Sequence, residues 1–462
     1  MGQRRILTVA IAALLALVAS PGAGAQGAGS STTTSTPATS SSTTPTGSTS
    51  SAAPTTTADA PITSAMDDEV HLNQVQVIGT HNSYKQMVSP PEEALRRSFI
   101  GAGADLMQYQ HRPLPEQFQS EKVREIELDV YLDSAGGRYA NPLLRSAAGV
   151  GPYDPAMELP GIKVLHIQDV DYASSCLALI DCLTQMEGWS DAHPSHLPIA
   201  VLLELKDDPL SFGSLTFTTP EPWTAAAMDT LDAEIRSVFD PSQLITPDDV
   251  RGAHSTLEEA VLTDGWPTLA QSRGKVMFLM DNAGSYRSAY RTGHPSLEGR
   301  VIFTNADPGS PDAAFVKRND PHDPSIPGLV QAGYVVRTRA DGDTVEARKD
   351  DTSNRDAALA SGAQWVSTDY PVPGLAVGFT TSYVAQIPGG TVARCNPLNA
   401  PPGCVSADLD TIFTPVELPA TTTTTTAPTT STTAPPTSTT VPIGAPTAPA
   451  AEPVEGTARY AG

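Results

Sequence analysis

The chain has 462 residues, with Lys+Arg 28 against Asp+Glu 51, so the formal charge is -23 while charged residues make up only 17% of it. A chain this acidic is poorly suited to gripping phosphate backbones over a wide surface, which disfavours nucleic-acid binding and adhesion to anionic membranes through a polybasic face. Those averages conceal two ends that are compositionally foreign to the middle.

At the N-terminus, Arg4 and Arg5 precede an apolar run from Ile6 to Val18 and the small residues Ala23-Gly24-Ala25. Basic, apolar and small regions in that order read as a secretory signal, residues 1–25, with an apolar run short for a bilayer span. Export is therefore expected, to the extracellular space, and the stalk-like ends suit association with a cell wall. Residues 26–65 are dominated by Ser, Thr, Ala, Gly and Pro, and residues 415–462 repeat the pattern, including the run Thr421 to Thr426. Such segments have too little apolar side chain to offset the entropy of ordering, so both are expected to be disordered spacers. No apolar anchor follows the tail, so a free C-terminus is expected.

The dense region between them, residues 66–414, carries β-rich runs separated by helical or loop stretches. They are Val75–Gly79, Glu125–Val130, Lys163–Ile167, Ile199–Leu205, Lys275–Met280, Val301–Thr304, Tyr334–Arg337 and Gln364–Ser367. Helix candidates fall between them: Thr224 to Phe239, with Met228, Leu231, Ile235 and Phe239 at helical spacing before Pro241, then the weaker Ser174 to Met186 and Asn354 to Ser361. About eight strands with crossovers make an α/β fold, the (β/α)8 TIM barrel, the leading architecture. A doubly wound open sheet is the alternative. Four cysteines in an exported chain fit two disulfides, and local pairing of Cys176 with Cys182 and Cys395 with Cys404 is the simplest of three connectivities. A zinc site competes, but neither pair has zinc-knuckle spacing with a nearby His.

In such a barrel, chemistry collects at the C-terminal ends of the strands. The first run leads into Thr80-His81-Asn82, the second carries Glu127 and Asp129, the third ends at His166, and the fourth gives Glu204 and Lys206. Asp281 and Asn282, Asn305, Arg337 and Arg339, and Thr368 and Asp369 follow the later strands. Alternation puts Glu127 and Asp129 on one side of their strand and Glu204 and Lys206 on one side of theirs. A buried bare carboxylate costs several kcal/mol, so Glu127 needs a cation or strong donors. Asn82, Glu127, Asp129 and Glu204 offer only oxygen, which suits Ca2+ or Mg2+ rather than Zn2+. An ion network with Lys206, Arg124 or Arg337 would satisfy the same acids. His81 and His166 beside this cluster have the chemistry of a general base and a general acid, and the whole set suits displacement at phosphorus.

Val77-Ile78-Gly79-Thr80-His81-Asn82-Ser83-Tyr84, Glu125-Ile126-Glu127-Leu128-Asp129-Val130, Lys163-Val164-Leu165-His166-Ile167-Gln168-Asp169 and Leu203-Glu204-Leu205-Lys206-Asp207-Asp208 stand in this order. Together they resemble the bacterial Ca2+-dependent phosphoinositide-specific phospholipase C family, within the PLC-like phosphodiesterase barrels. The resemblance spans about His71 to Pro373. It implies His81 as the base that deprotonates an inositol hydroxyl and His166 as the acid that protonates the departing diacylglycerol oxygen. It further implies Asn82, Glu127, Asp129 and Glu204 as Ca2+ ligands, with Lys206 and Arg337 as contacts to phosphate or inositol. Gly362 to Pro371 also resembles the last strand of glycerophosphodiester phosphodiesterases. The expected substrate is an inositol phospholipid met in transient contact with a membrane surface, and the expected state is a monomer.

Other features carry less. There is no separate lipid-binding module, and Phe99-Ile100 and Leu210 to Phe217 are the candidates for an apolar rim or for ordinary core. His193 and His196 are spaced HxxH, but flanking Pro favours a loop before the fourth strand. His111 is read as a surface residue or part of the crossover packing, and Asp341, Asp343, Asp350 and Asp351 as a solvated loop. Two other functions stand beside the phospholipase: a glycerophosphodiesterase on soluble deacylated substrates, and a non-enzymatic surface-binding protein on a barrel scaffold.

Overall fold

The computed structural model describes residues 66–212 and 215–410. The signal-like segment 1–25, the low-complexity stretch 26–65 and the Thr/Pro-rich tail 415–462 lie outside the described residues.

Eight parallel strands follow one another around a barrel: β1 Val75–Thr80, β2 Glu125–Tyr131, β3 Ile199–Leu205, β4 Val276–Met280, β5 Ile302–Thr304, β6 Phe315–Lys317, β7 Val335–Arg339 and β8 Trp365–Thr368. Each pairs with its sequence neighbours, and β8 pairs with β1 from Val77↔Trp365 to Thr80↔Thr368. A parallel bridge between Asn305 and Phe315 joins β5 to β6 and closes the ring. The (β/α)8 expectation is met.

Helices cover the outside because the outward side chains are apolar. Ala225–Val238 begins at Thr224, whose Oγ1 accepts from Ala227 N at 3.2 Å, and it stops ahead of Pro241. Its buried stripe is Met228, Leu231 and Ile235, each 0% exposed, continued by Phe239. Burying each such side chain contributes roughly 1.5–3 kcal/mol. Ser353–Ala360 forms where expected. The third helix is Leu179–Ala192 rather than Ser174 to Met186, because residues 174–178 are tied into a loop by the Cys176–Cys182 disulfide. Cys395–Cys404 is the second disulfide, so the pairing is local in both cases.

Two strand assignments change. Of Lys163–Ile167 only Lys163–Val164 is strand, and it runs antiparallel to Val130 and Tyr131 instead of joining the barrel. A short apolar run carries no signal for parallel against antiparallel pairing. The strand that completes the ring is Phe315–Lys317, three residues long and reached from β5 without a helix, so no βαβ rhythm announces it. Beyond the barrel, Ala393–Cys395 pairs antiparallel with Val75–Val77 at the N-terminal end of β1. Among the described residues no helix is long and apolar enough to cross a membrane.

Candidate active site

Alternation along the strands decides what fills the barrel. On β2 the outward residues Ile126, Leu128 and Val130 are each 0% exposed beneath the helices, and Glu125, Glu127 and Asp129 point inward. The inward ladders change from apolar at the base to polar at the C-terminal rim. They read Val75-Val77-Gly79-His81, Ala200-Leu202-Glu204-Lys206, Met277-Leu279-Asp281, Phe315-Lys317, Val335-Arg337-Arg339 and Trp365-Ser367-Asp369. Phe315 and Trp365 meet edge to face at the base, with ring centroids 6.0 Å apart. Gly79 leaves the room that Glu125 occupies: a Cβ there would lie 1.6 Å from Glu125 Oε2.

At the rim, one oxygen from each of Glu127, Asp129 and Glu204 lies within 4.8 Å of the others. Glu127 and Asp129 are buried and Glu204 is half-buried. Arg337 binds Glu127 Oε2, while Lys206 Nζ stands 2.6 Å from Glu204 Oε1 and 3.1 Å from Asp129 Oδ2. Burial pushes the Asp129 carboxyl well up against the pull of Lys206, and pushes Glu127 up against the pull of Arg337. Glu204 is also raised by burial, but Lys206 outweighs this and holds it below the usual carboxylate range. Two cations thus leave three crowded acids incompletely neutralised: Asp129 Oδ2 faces Lys206, while the buried Asp129 Oδ1 has no hydrogen-bond partner.

That unpartnered buried oxygen, among three crowded carboxylates, fits a further cation. Asn82, the fourth ligand expected from the sequence, occupies a left-handed backbone position, φ 48°, which Asn tolerates better than most residues. Its Nδ2 donates to Tyr109 Oη at 3.0 Å, and its Oδ1 accepts from Tyr84 Oη at 3.3 Å. The Tyr84 phenol is raised first by burial and then by charges that include Asp129 and Glu204. The loop is pinned by reciprocal bonds, Ser83 N to Glu127 O at 2.9 Å and Glu127 N to Ser83 Oγ at 2.8 Å. These bonds set His81 and Asn82 in register with the acids of β2.

His81 follows β1 directly. Its Nδ1 lies 2.9 Å from Asp369 Oδ1, with Tyr109 Oη and Arg339 each 3.2 Å from the same nitrogen. Donation from Nδ1 to Asp369 leaves Nε2 with its lone pair toward the acids, 3.9 Å from Glu127 Oε1. Burial, then the positive charges of Arg339, Arg337 and His166, hold the imidazole well below its ordinary pKa. It is neutral at neutral pH, as a base must be.

His166 arrives from the segment that doubles back on β2, where Leu165 N donates to Asp129 O at 3.2 Å. Its Nδ1 donates to Asp171 Oδ2 at 2.8 Å. Asp171 is buried between Arg96, 2.6 Å from Oδ1, and Lys85, 3.4 Å from Oδ2. Burial raises this carboxyl, but Lys85, Arg96 and His166 overcome it and hold it far below the usual range. A carboxylate that stays ionised can steady a protonated imidazole, which is what an acid at this position needs.

The predicted residues therefore converge from the ends of β1, β2, β3 and β7 and from the loop after β2. Arg337 lies deeper than a rim residue, 1% exposed and also bonded to Asn319 Oδ1 and Ser367 Oγ. Of the alternative partners for the acids, Arg124 is not one: it turns to Phe118 O, Val123 O and Asp410. His193 stacks on Trp189 with centroids 4.3 Å apart, and His196 is buried against Ser190 Oγ, so the HxxH pair is packing. His111 is buried rather than on the surface, and its Nε2 donates to the His81 carbonyl at 2.9 Å. Asp341 is likewise buried, accepting from Asp369 N at 2.9 Å, and is not part of a solvated loop. Sequence reasoning passed over Asp171, Lys85, Arg96 and Tyr109, none of which ends a strand. It also passed over Lys317, which pairs with Asp281 at 2.6 Å on the unrecognised β6.

Residues 70–397 match the family model of the Ca2+-dependent phosphoinositide phospholipase C. Among solved structures, the chain is similar to a calcium-dependent phosphoinositol-specific phospholipase C from a Gram-negative Pseudomonas sp., at 17% identity and TM-score 0.43 over 72% of this chain and 97% of that one. A Ca2+-dependent phosphatidylinositol-specific phospholipase C from Streptomyces antibioticus matches at 17% identity and TM-score 0.41, over 65% and 95%. The phosphatidylinositol-specific phospholipase C of S. aureus matches at 11% identity and TM-score 0.34, over 69% and 92%. No curated protein sequence matches the chain.

Proposed function

Because the chain belongs to the Ca2+-dependent phosphoinositide phospholipase C family, we propose that it cleaves phosphatidylinositol-type phospholipids to diacylglycerol and an inositol phosphate, with His81 as general base and His166 as general acid. The observation that carries this reading is the placement of two imidazoles, each oriented by its own buried carboxylate, beside an incompletely neutralised acid cluster. His81 Nε2 takes the proton of an inositol hydroxyl. The freed oxygen forms a bond to phosphorus as the bond to the diacylglycerol oxygen breaks. His166, protonated, delivers its Nε2 proton to that departing oxygen, and Asp171 steadies the imidazolium beforehand. The exchange balances without water and yields a cyclic phosphate, which a water can open by the same two groups in reversed roles.

Asn82, Glu127, Asp129 and Glu204 are the residues to hold Ca2+. The bound ion supplies positive charge to the phosphate oxygens and makes the attacking hydroxyl more acidic. Lys206 and Arg337 add positive charge beside the same carboxylates, so an anionic ester can enter a chain that is acidic as a whole. The signal-like N-terminus and the two disulfides support action outside the cell. The test is release of diacylglycerol from phosphatidylinositol vesicles with calcium and with a chelator. His81→Ala and His166→Ala should each nearly abolish turnover. Unchanged activity in chelator would sink the calcium assignment, and cleavage of glycerophosphoinositol alone would sink the lipid assignment.

A further inference from the structure

The catalytic reading leaves one rim cavity without a role. It is a shallow, solvent-open recess whose apolar walls include Phe99 and Ile100, Leu143, Val170, and Leu215 and Phe217. Three separate stretches of chain meet there: the end of the helix Pro90–Ile100, the start of the helix Leu143–Ala147, and the hairpin in which Ser211–Phe212 pairs with Leu215–Thr216. The two segments that the sequence offers as an apolar rim thus face each other. Among the described residues, the large exposed apolar side chains, such as Leu159, Ile180 and Leu262, lie elsewhere.

The charged groups on the walls are committed to other partners. Asp169 Oδ1 accepts from Leu143 N at 3.0 Å and Thr218 Oγ1 at 3.1 Å, and its Oδ2 accepts from Thr218 N at 2.6 Å, tying one wall to the other. Arg96 gives its guanidinium to Glu93 and to Asp171. What remains facing the space is hydrocarbon, held open by bonds that lie behind it.

We propose that this recess receives an acyl chain from the lipid half of the substrate. The inference rests on the assignment of His166 to the leaving oxygen. That oxygen carries the glycerol and its chains, and His81 takes the headgroup side, so the chains depart past His166. Behind the His166 ring stands Asp171, and Asp171 is bonded to Arg96, a wall of the recess. Two bonded contacts therefore separate the acid from a cavity chemically matched to methylenes. Each methylene buried there is worth about fourfold in binding, the conversion of ~0.8 kcal/mol per CH2 at ~1.4 kcal/mol per decade.

The test uses phosphatidylinositols with dibutanoyl, dihexanoyl and dioctanoyl chains, kept monomeric below their critical micelle concentrations, with glycerophosphoinositol as the chainless reference. For the full chain with calcium, kcat/KM should rise with chain length, by about fourfold per methylene that enters the recess. In Ile100→Ser/Leu215→Ser that rise should flatten, and in Ala147→Phe, which fills the recess, the long-chain substrates should fall to the dibutanoyl level. Dibutanoyl and chainless turnover should stay within twofold of the unaltered chain in both variants. A chain-length rise that survives both variants overturns the proposal, as does a wild-type rate independent of chain length. Loss of vesicle binding with the monomer series intact would make the face a membrane-docking surface instead. If no inositol phosphodiester of any kind is cleaved, the parent reading fails, and this inference falls with it.

Discussion

Calcium should raise the thermal midpoint of this protein by an amount that the acid cluster allows to be worked out. Oxygens of Glu127, Asp129 and Glu204 lie within 4.8 Å of one another. Ionised, each pair would repel by roughly 3.5 kcal/mol at an effective dielectric of about 20. Lys206 offsets part of that for Glu204 and Asp129, and Arg337 for Glu127, but Asp129 Oδ1 is left with no hydrogen-bond partner. A dication that binds the folded form alone stabilises it by ~2.7 kcal/mol at 100 times its Kd. The described fold is roughly 340 residues, and ~2.1 cal/mol/K of unfolding entropy per residue gives about 0.7 kcal/mol/K. The expected rise is therefore about 4 °C. Scanning calorimetry with and without millimolar calcium measures it, and magnesium, which demands a smaller and more regular shell, should give a lesser shift. Asp129→Asn and Glu204→Gln should each lose most of it. A midpoint that calcium does not move, or variants that shift as far as the wild type, would show that these carboxylates hold no calcium.

Three further outcomes follow from the same geometry. Asp369→Asn puts an amide, which can present its NH2 to Nδ1, where an acceptor-only carboxylate fixes the His81 tautomer, so kcat on phosphatidylinositol should fall on the order of 10²–10⁴-fold with little change in KM; a loss under threefold would remove Asp369 from the site. Gly79→Ala places a Cβ against Glu125 inside the barrel, and should destabilise by about 1–3 kcal/mol or more in urea unfolding. Glu121 is buried with neither oxygen accepting an aligned bond, and burial raises its carboxyl to about 7, with Arg112 opposing. Between about pH 4.5 and 7 the folded form then binds more protons than the unfolded form, so this group's contribution to stability declines as pH rises through that window. Glu121→Gln should gain on the order of 3 kcal/mol on the wild type between pH 4 and pH 8. Parallel pH profiles for the two proteins would exclude this role.

The barrel was legible because strands buried on one side against helices carry strong apolar runs. The acids were legible because Glu127, Asp129 and Glu204 interrupt those runs with period two. His81 and Asn82 follow β1 without a break, so they too could be placed from sequence. His166 was found for a reason that needed correction: it stands on an antiparallel return beside β2, not at the end of a barrel strand. The groups that orient the two imidazoles divide along the same line. Asp369 directly follows β8 and was visible as a rim residue, whereas Asp171, Lys85 and Arg96 come together from loops and a helix by tertiary packing, which no local spacing encodes. The missed β6 illustrates the lower limit of pattern reading, since three residues without a preceding helix present neither length nor rhythm.

We propose a cation held by four oxygen-bearing side chains between two opposed imidazoles. A crystal structure grown with calcium and an inositol phosphate tests it most directly. It should show one ion with Asn82, Glu127, Asp129 and Glu204 at about 2.3–2.6 Å, and His81 Nε2 and His166 Nε2 on opposite sides of phosphorus. An ion bound elsewhere, with the three carboxylates still closed on Lys206 and Arg337 and both imidazoles on one side of the phosphate, would contradict it.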